Sequence, residues 1–181
     1  MSLLADRIVA IHLALAAGRV PHAFGGALAL AWCTQRARGT IDIDVNLFVG
    51  ADRVDAVLRA LPPEVLCTEA DRALLVRDGQ ARLWWADTPV DLFFSTTPFH
   101  DDVAARARRE HFAGHHIPFL ACTDLAVFKA FFNRTKDWAD LEEMAAAGTL
   151  DRARVVGVLA EYLGVTDERV ARVLALPSAV T

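Results

Sequence analysis

Apolar residues at Leu3, Leu4, Ile8, Ile11, Leu13 and Leu15 recur at helical spacing and stop before Gly18 and Pro21, which predicts an N-terminal helix. Residues 22–24 make a short extended run that halts at Gly25 and Gly26, and the small apolar residues of 27–32 read as a second helix. Over 41–49, β-branched residues alternate with Asp42 and Asp44, the period of a strand with one polar face. Residues 52–61 return to a helical pattern and end at Pro62 and Pro63. Three short apolar runs follow at 74–77, 81–85 and 90–94, split by Asp78 and Gly79 and by Asp87, Thr88 and Pro89. An Asp-Gly pair between apolar runs predicts a hairpin, so all three are expected as strands. Residues 97–109 are expected as a helix carrying Arg106, Arg108 and Arg109, and 111–120 as a minor hairpin around Gly114. From Thr123 the pattern is helical almost to the end, with breaks near Gly148 and Gly164. This mixture predicts an α/β (α+β) fold: a short mixed sheet flanked by helices over residues 1–120, with a helical part, 121–181, packed on it as one structural unit.

Composition narrows the classes. With 181 residues and 54% of them in the AVILMFWYC group, the chain can bury a core without a metal or disulfide staple. A formal charge of −4 argues against a global basic footprint for nucleic acid. Cys33, Cys67 and Cys122 are widely spaced and show no CxxC pattern, so free thiols in a reducing cytoplasm are expected. The first residues carry Asp6, Arg7 and His12 within their apolar stretch, so neither signal peptide nor membrane span is expected. A P-loop and a hydrolase triad are also missing.

The chemistry concentrates in two segments. On a strand, Asp42 and Asp44 project to the same side, about 7 Å apart at Cα. Two carboxylates so close repel unless a cation joins them, which points to a divalent metal. Asp91 stands in a similar apolar-Asp-apolar context, and a strand placing it beside the other two completes an oxygen donor set for Mg²⁺ with positions open for phosphate. Gly25 and Gly26 fall where a strand turns into a helix, so backbone N–H groups can approach a phosphate there. The bland alternative is three solvated acids at strand ends. In the second segment, Lys129 and Lys136 are the only lysines among 19 basic residues. Their compact charges suit a triphosphate and its leaving pyrophosphate. A continuous helix puts them on one face, whereas a break near Asn133, with Thr135 capping a new helix, separates them. Their alternative is ordinary pairing, for example Lys136 with Asp140.

The apolar-Gly25-Gly26 turn, Asp42-Ile43-Asp44 and the later Asp91 resemble the signature of the nucleotidyltransferase superfamily. Arg38-x-Thr40-x-Asp42 looks like the branch of AbiEii-like abortive-infection toxins and related nucleotidyltransferases. In the same branch, Lys129, Arg134, Lys136, Asp137 and Asp140 match a Lys…Arg-x-Lys-Asp-x-x-Asp element. Aminoglycoside and lincosamide nucleotidyltransferases share much the same Gly-Gly and Asp-Ile-Asp block. Many active members carry Ser where Gly26 stands. The resemblance implies a minimal nucleotidyltransferase fold and transfer of an NMP from an NTP to an acceptor hydroxyl. It implies two Mg²⁺ ions on Asp42, Asp44 and Asp91, with nucleotide contacts from Gly25, Gly26, Arg38, Thr40, Lys129 and Lys136. The acceptors it implies are RNA or tRNA, protein, or an antibiotic. A toxin of this kind would have a cognate antitoxin. A protein that binds nucleotide or a partner without turnover is the alternative.

Overall fold

The protein is seen in a computed structural model that describes residues 3–37 and 39–177. In chain order its strands are β1 (His22–Phe24), β2 (Ile43–Leu47), β3 (Val65–Leu66), β4 (Gln80–Trp85), β5 (Thr88–Phe94), β6 (Arg108–Phe112) and β7 (His115–Phe119). They form one mixed sheet in the order β3-β4-β5-β2-β1-β7-β6. The alternation over 41–49 has the expected result. Ile43, Val45 and Leu47 are fully buried, and Asp44 between them stays partly exposed. Strand β5 repeats the pattern with Val90, Leu92 and Phe94 buried and Asp91 partly exposed. β2 runs parallel to β5 and antiparallel to β1.

Two compact units make up the chain, one of residues 1–26 and 39–120, the other of 27–38 and 121–181. The first holds the sheet together with α1 (Leu3–Ala17), α3 (Val54–Ala60), α4 (Glu69–Asp78) and α5 (Phe99–Arg106). The second holds most of α2 (Gly26–Thr34), then α6 (Cys122–Phe132), α7 (Thr135–Ala146), α8 (Arg152–Leu163) and α9 (Glu168–Leu174). Its core includes Val127, Ala130, Trp138, Leu141, Met144 and Leu159. No helix among the described residues is long and apolar enough to cross a membrane.

Three expectations are corrected in these elements. Residues 74–77 are the end of helix α4, not a strand. Thr68 and Asp71 form a capping box, the Thr68 hydroxyl accepting from the Asp71 N–H at 3.1 Å and the Asp71 carboxylate from the Thr68 N–H at 2.9 Å. Gly79, at φ 69°, closes the helix with its N–H on the Leu75 carbonyl, so the Asp-Gly pair is a helix stop. The hairpin lies one element later, where Ala86 (φ 52°) and Asp87 join β4 to β5. The helix expected over 97–109 ends at Arg106, and Arg108 and Arg109 belong to edge strand β6. Ala113 and Gly114, at φ 48° and 82°, supply the two left-handed residues of a tight turn into β7, which recruits those arginines into the sheet.

The cysteine expectation is corrected as well. Cys33 and Cys122 form a disulfide across 89 residues, with Cα atoms 5.5 Å apart, and Cys67 alone is a free thiol. Both partners lie in the second unit, one in α2 and one opening α6. Spacing along the chain carries no signal for such a pair; only the packing of α2 with the later helices brings the sulfurs together.

Helices α6 and α7 are separated by Asn133, at φ 56°, whose side-chain oxygen accepts from the Trp138 indole N–H at 2.7 Å. The break therefore exists, but Arg134 rather than Thr135 occupies the capping position. Its N–H donates to Asp137 at 3.3 Å.

Two buried histidines meet in the first unit. The His22 Nδ1 faces the Val20 carbonyl at 2.8 Å, and its Nε2 lies 2.9 Å from the His12 Nδ1. A proton on His22 Nδ1 makes its Nε2 the acceptor, so His12 Nδ1–H donates and both rings are neutral. Burial, helped by the nearby His22, Arg109 and His115, lowers His12 from 6.5 to about 4. Burial also lowers His22, against the opposing pull of the Val20 carbonyl. Unfolded imidazoles take their protons near the ordinary value while the folded ones refuse them. Stability is therefore unaffected by this pair above pH 6.5 and declines as the pH falls from there towards about 4. Imidazole ¹⁵N shifts should report the His12 ring neutral at about pH 5.5 and the His22 midpoint below its ordinary value. Ordinary titration of both near 6.5 would contradict the buried pair.

Candidate active site

Parallel pairing of β2 with β5 sets Asp44 directly opposite Asp91, and antiparallel pairing of β4 with β5 sets Arg82 opposite Asp91. Paired residues share a face of a sheet, so Arg82, Asp91 and Asp44 form a row across three strands. Asp42 lies just before β2, two residues from Asp44. Its carboxylate is on the same row, 3.5 Å from the Arg82 Nη2. Asp42 is held by Thr40, whose hydroxyl accepts from the Asp42 N–H at 3.1 Å. Thr40 thus braces the backbone that presents the acid. Side-chain exposures of 32% for Asp42 and 17% for Asp91 keep both reachable from solvent.

The Gly-Gly turn closes on the same row. The Gly25 N–H donates to the Asp44 carbonyl at 2.9 Å. Gly26, the first residue of α2, has φ 54°, and a Cβ there would come within 1.8 Å of the Asp44 Oδ2. Both the backbone angle and the space demand glycine beside Asp44 as it stands. A serine at this position would require Asp44 to move. At Gly25 a Cβ would meet the Asn46 amide at 2.7 Å.

Sequence reasoning missed Arg82. Its Nε donates to Asp91 Oδ1 at 2.8 Å and its Nη2 to Asp91 Oδ2 at 2.7 Å. The bonds to Asp91, joined by the charges of Asp42 and Asp44, raise the guanidinium above its ordinary value, so it is a permanent cation. The signal was available in the hairpin: a two-residue turn at Ala86 and Asp87 brings residue 82 opposite 91. Placing the break at Asp87, Thr88 and Pro89 concealed that register. Asp87 itself lies in the turn, paired with Arg7 at 2.9 Å, outside the carboxylate row.

The two lysines of the second unit lie on different helices. Lys129, on α6, is buried, its ammonium 2.5 Å from Asp140 and 3.8 Å from Asp137. Arg134 reaches Asp137 from the outside at 2.6 Å. Lys136, on α7, is exposed. Asp140 pairs with Lys129. Arg38 lies outside the described residues.

Among the described residues, no group of three His, Cys, Asp or Glu side chains is gathered as a metal cage. Among the described residues, the Arg82 guanidinium is a cation on the carboxylate row. Yet the donor set is one a hard divalent ion accepts: carboxylate oxygens from adjacent strands, partly open to solvent and already drawing a positive charge. Mg²⁺ fits these residues once Arg82 yields. A cleft elsewhere in the first unit, lined by Asp55, Leu58, Arg59, Cys67 and Arg72 among others, contains none of the candidate residues.

No protein-family model matches the chain, and no curated protein matches it by sequence. Solved structures do. The crystal structure of ANT(2'')-Ia in complex with adenylyl-2''-tobramycin matches with a TM-score of 0.61 at 15% identity, over 89% of this chain and 97% of that one. The solution structure of the antibiotic-resistance factor ANT(2'')-Ia matches with a TM-score of 0.52 at 15% identity, over 87% and 89%. An antigenic nucleotidyltransferase-like protein from Paracoccidioides brasiliensis follows with a TM-score of 0.45 at 13% identity, over 99% and 96%. At such identities the likeness is one of fold. The chain has a nucleotidyltransferase fold.

Proposed function

We propose that this protein transfers a nucleoside monophosphate from an NTP to an acceptor hydroxyl, with Mg²⁺ held by Asp42, Asp44 and Asp91. The observation that carries this reading is the register of Asp44 on Asp91 beside the Gly25–Gly26 turn, within a nucleotidyltransferase fold. When bound, Mg²⁺ (two ions by the resemblance) would neutralise phosphate charge and make the acceptor hydroxyl more acidic. Asp91 is the base for the hydroxyl proton. The freed oxygen attacks the α-phosphorus in line, the bond to the bridging oxygen breaks, and pyrophosphate departs. The backbone at Gly25 and Gly26 admits the phosphates, and Thr40 keeps Asp42 in position. Exposed Lys136 offers its charge to the triphosphate, while Lys129 organises Asp137 and Asp140. Arg38 keeps the nucleotide role the resemblance implies.

Two observations favour a small cationic acceptor, of the aminoglycoside kind, over RNA or tRNA. The match spans 97% of a chain bound to an adenylylated aminoglycoside, so this chain does not fall short of the size such chemistry needs. Its charge of −4 attracts a polycation and repels a polyanion. A protein acceptor, in a toxin with its antitoxin, rests on the AbiEii-like motifs.

Calorimetric titration with each of the four NTPs in Mg²⁺, repeated on Asp42→Ala/Asp44→Ala, tests the reading. The expected result is metal-dependent binding of at least one NTP by the native chain and its loss in the variant. Labelled NTP offered with an aminoglycoside, total RNA or a lysate then identifies the acceptor, and binding without transfer to any of them would leave a nucleotide-binding protein. Failure to bind any NTP would overturn the proposal.

A further inference from the structure

Arg82 engages both oxygens of Asp91 and approaches Asp42, spanning two of the three acids that a metal would bridge. A bidentate guanidinium and a divalent ion compete for the same in-plane lone pairs of a carboxylate. They also compete for the same job, because either one offsets the repulsion among three neighbouring acids. The Arg82 side chain is 47% exposed, so its stem can turn to solvent without opening the core. Strand register, rather than a chance surface encounter, puts it there: residue 82 is the β4 partner of residue 91.

Resting on the function proposed above, we infer that Arg82 is a resident counter-cation of the carboxylate row, a positioning residue that holds Asp91 and Asp42 in the metal-free protein and yields them when Mg²⁺ binds. Two consequences separate this role from simple structural support. Metal alone binds weakly, because it must displace the guanidinium. Metal arriving with a triphosphate binds better, because the phosphates supply further ligands for the ion and a new partner for Arg82.

Mn²⁺ binding to the full-length chain, followed by the electron paramagnetic signal of the free ion, is the test. It is run without nucleotide on the native protein, Arg82→Gln, Arg82→Lys and Arg82→Gln/Asp91→Asn, with thermal melts in parallel. Arg82→Gln should bind Mn²⁺ roughly tenfold to a hundredfold more tightly, the scale of a bidentate charge-assisted pair. Arg82→Lys, which can engage one oxygen at a time, should fall between it and the native chain. The added Asp91→Asn change should remove the gain. In metal-free buffer Arg82→Gln should melt lower, and Mn²⁺ should restore it. If Arg82→Gln melts too low for use, tighter binding by Arg82→Lys still supports the role and unchanged binding overturns it. Unchanged or weaker Mn²⁺ binding in folded Arg82→Gln, with NTP-dependent metal binding intact, would overturn the role of Arg82 alone. Absence of Mn²⁺ binding in every protein, with and without NTP, would overturn this role and the proposed function together.

Discussion

Removing the Cys33–Cys122 bond is expected to cost about 4 kcal/mol of stability, by the loop-closure entropy of a bridge spanning this much chain. The bond links residues 89 apart in sequence, so it restrains nearly half of the unfolded chain. It also joins α2 to the start of α6 inside the second unit, two segments whose chain connection otherwise runs through residues 39–120 of the first unit. Cys33 is almost fully buried, so replacing both cysteines by alanine tests the bond more cleanly than adding reductant to the folded protein. For a chain of this length the melting temperature should drop by roughly ten degrees. Thiol titration of the denatured, unreduced protein should find Cys67 alone. Three titrating thiols, with a melt that reductant leaves unchanged, would show that the bond does not form in solution. A bond of this kind also bears on compartment, since such bridges persist where the surroundings are oxidising.

A second large loss is expected at Lys129. Replacing it by methionine keeps most of the buried stem but leaves Asp140 and Asp137, 4% and 1% exposed, short of a cation. Breaking a buried pair from one side typically costs about 3–5 kcal/mol, because the remaining charge stays desolvated. Arg134 still reaches Asp137, so the penalty centres on Asp140. The double change Lys129→Met/Asp140→Leu should recover much of the stability, since an apolar pair of similar volume replaces the ionic one. Chemical denaturation of the two single variants and the double measures the coupling between them. Additive losses would mean that the 2.5 Å contact contributes little. By contrast, Lys136→Met should leave stability within about 0.5 kcal/mol, as for an exposed side chain outside any buried network. A loss of NTP affinity in Lys136→Met with an unchanged melt would then identify a phosphate contact.

What the residue order determined by itself was local. The alternation of Ile43, Asp44 and Val45 dictates which side of β2 is polar, because side-chain direction follows from the pleat and needs no partner strand. Gly25 and Gly26 announced a turn, and Asn133 marked a break between helices. From these pieces and the later Asp91, the fold class and the carboxylate set were legible. Where a local signal served two purposes, it misled. Asp78 and Gly79 can turn a hairpin or stop a helix, and the capping box at Thr68 and Asp71, three residues apart, was the discriminating feature. Tertiary structure alone decided partners. It set Asp44 on one side of Asp91 and Arg82 on the other, joined Cys33 to Cys122, and buried Lys129 against Asp140 instead of leaving it in solvent. The physical reason is one of range. Periodicity and capping act within a few residues, whereas register, disulfide pairing and the burial of a charge depend on which distant segment packs alongside. A shift of one residue between β4 and β5 would turn Arg82 to the opposite face, and nothing within either strand forbids it.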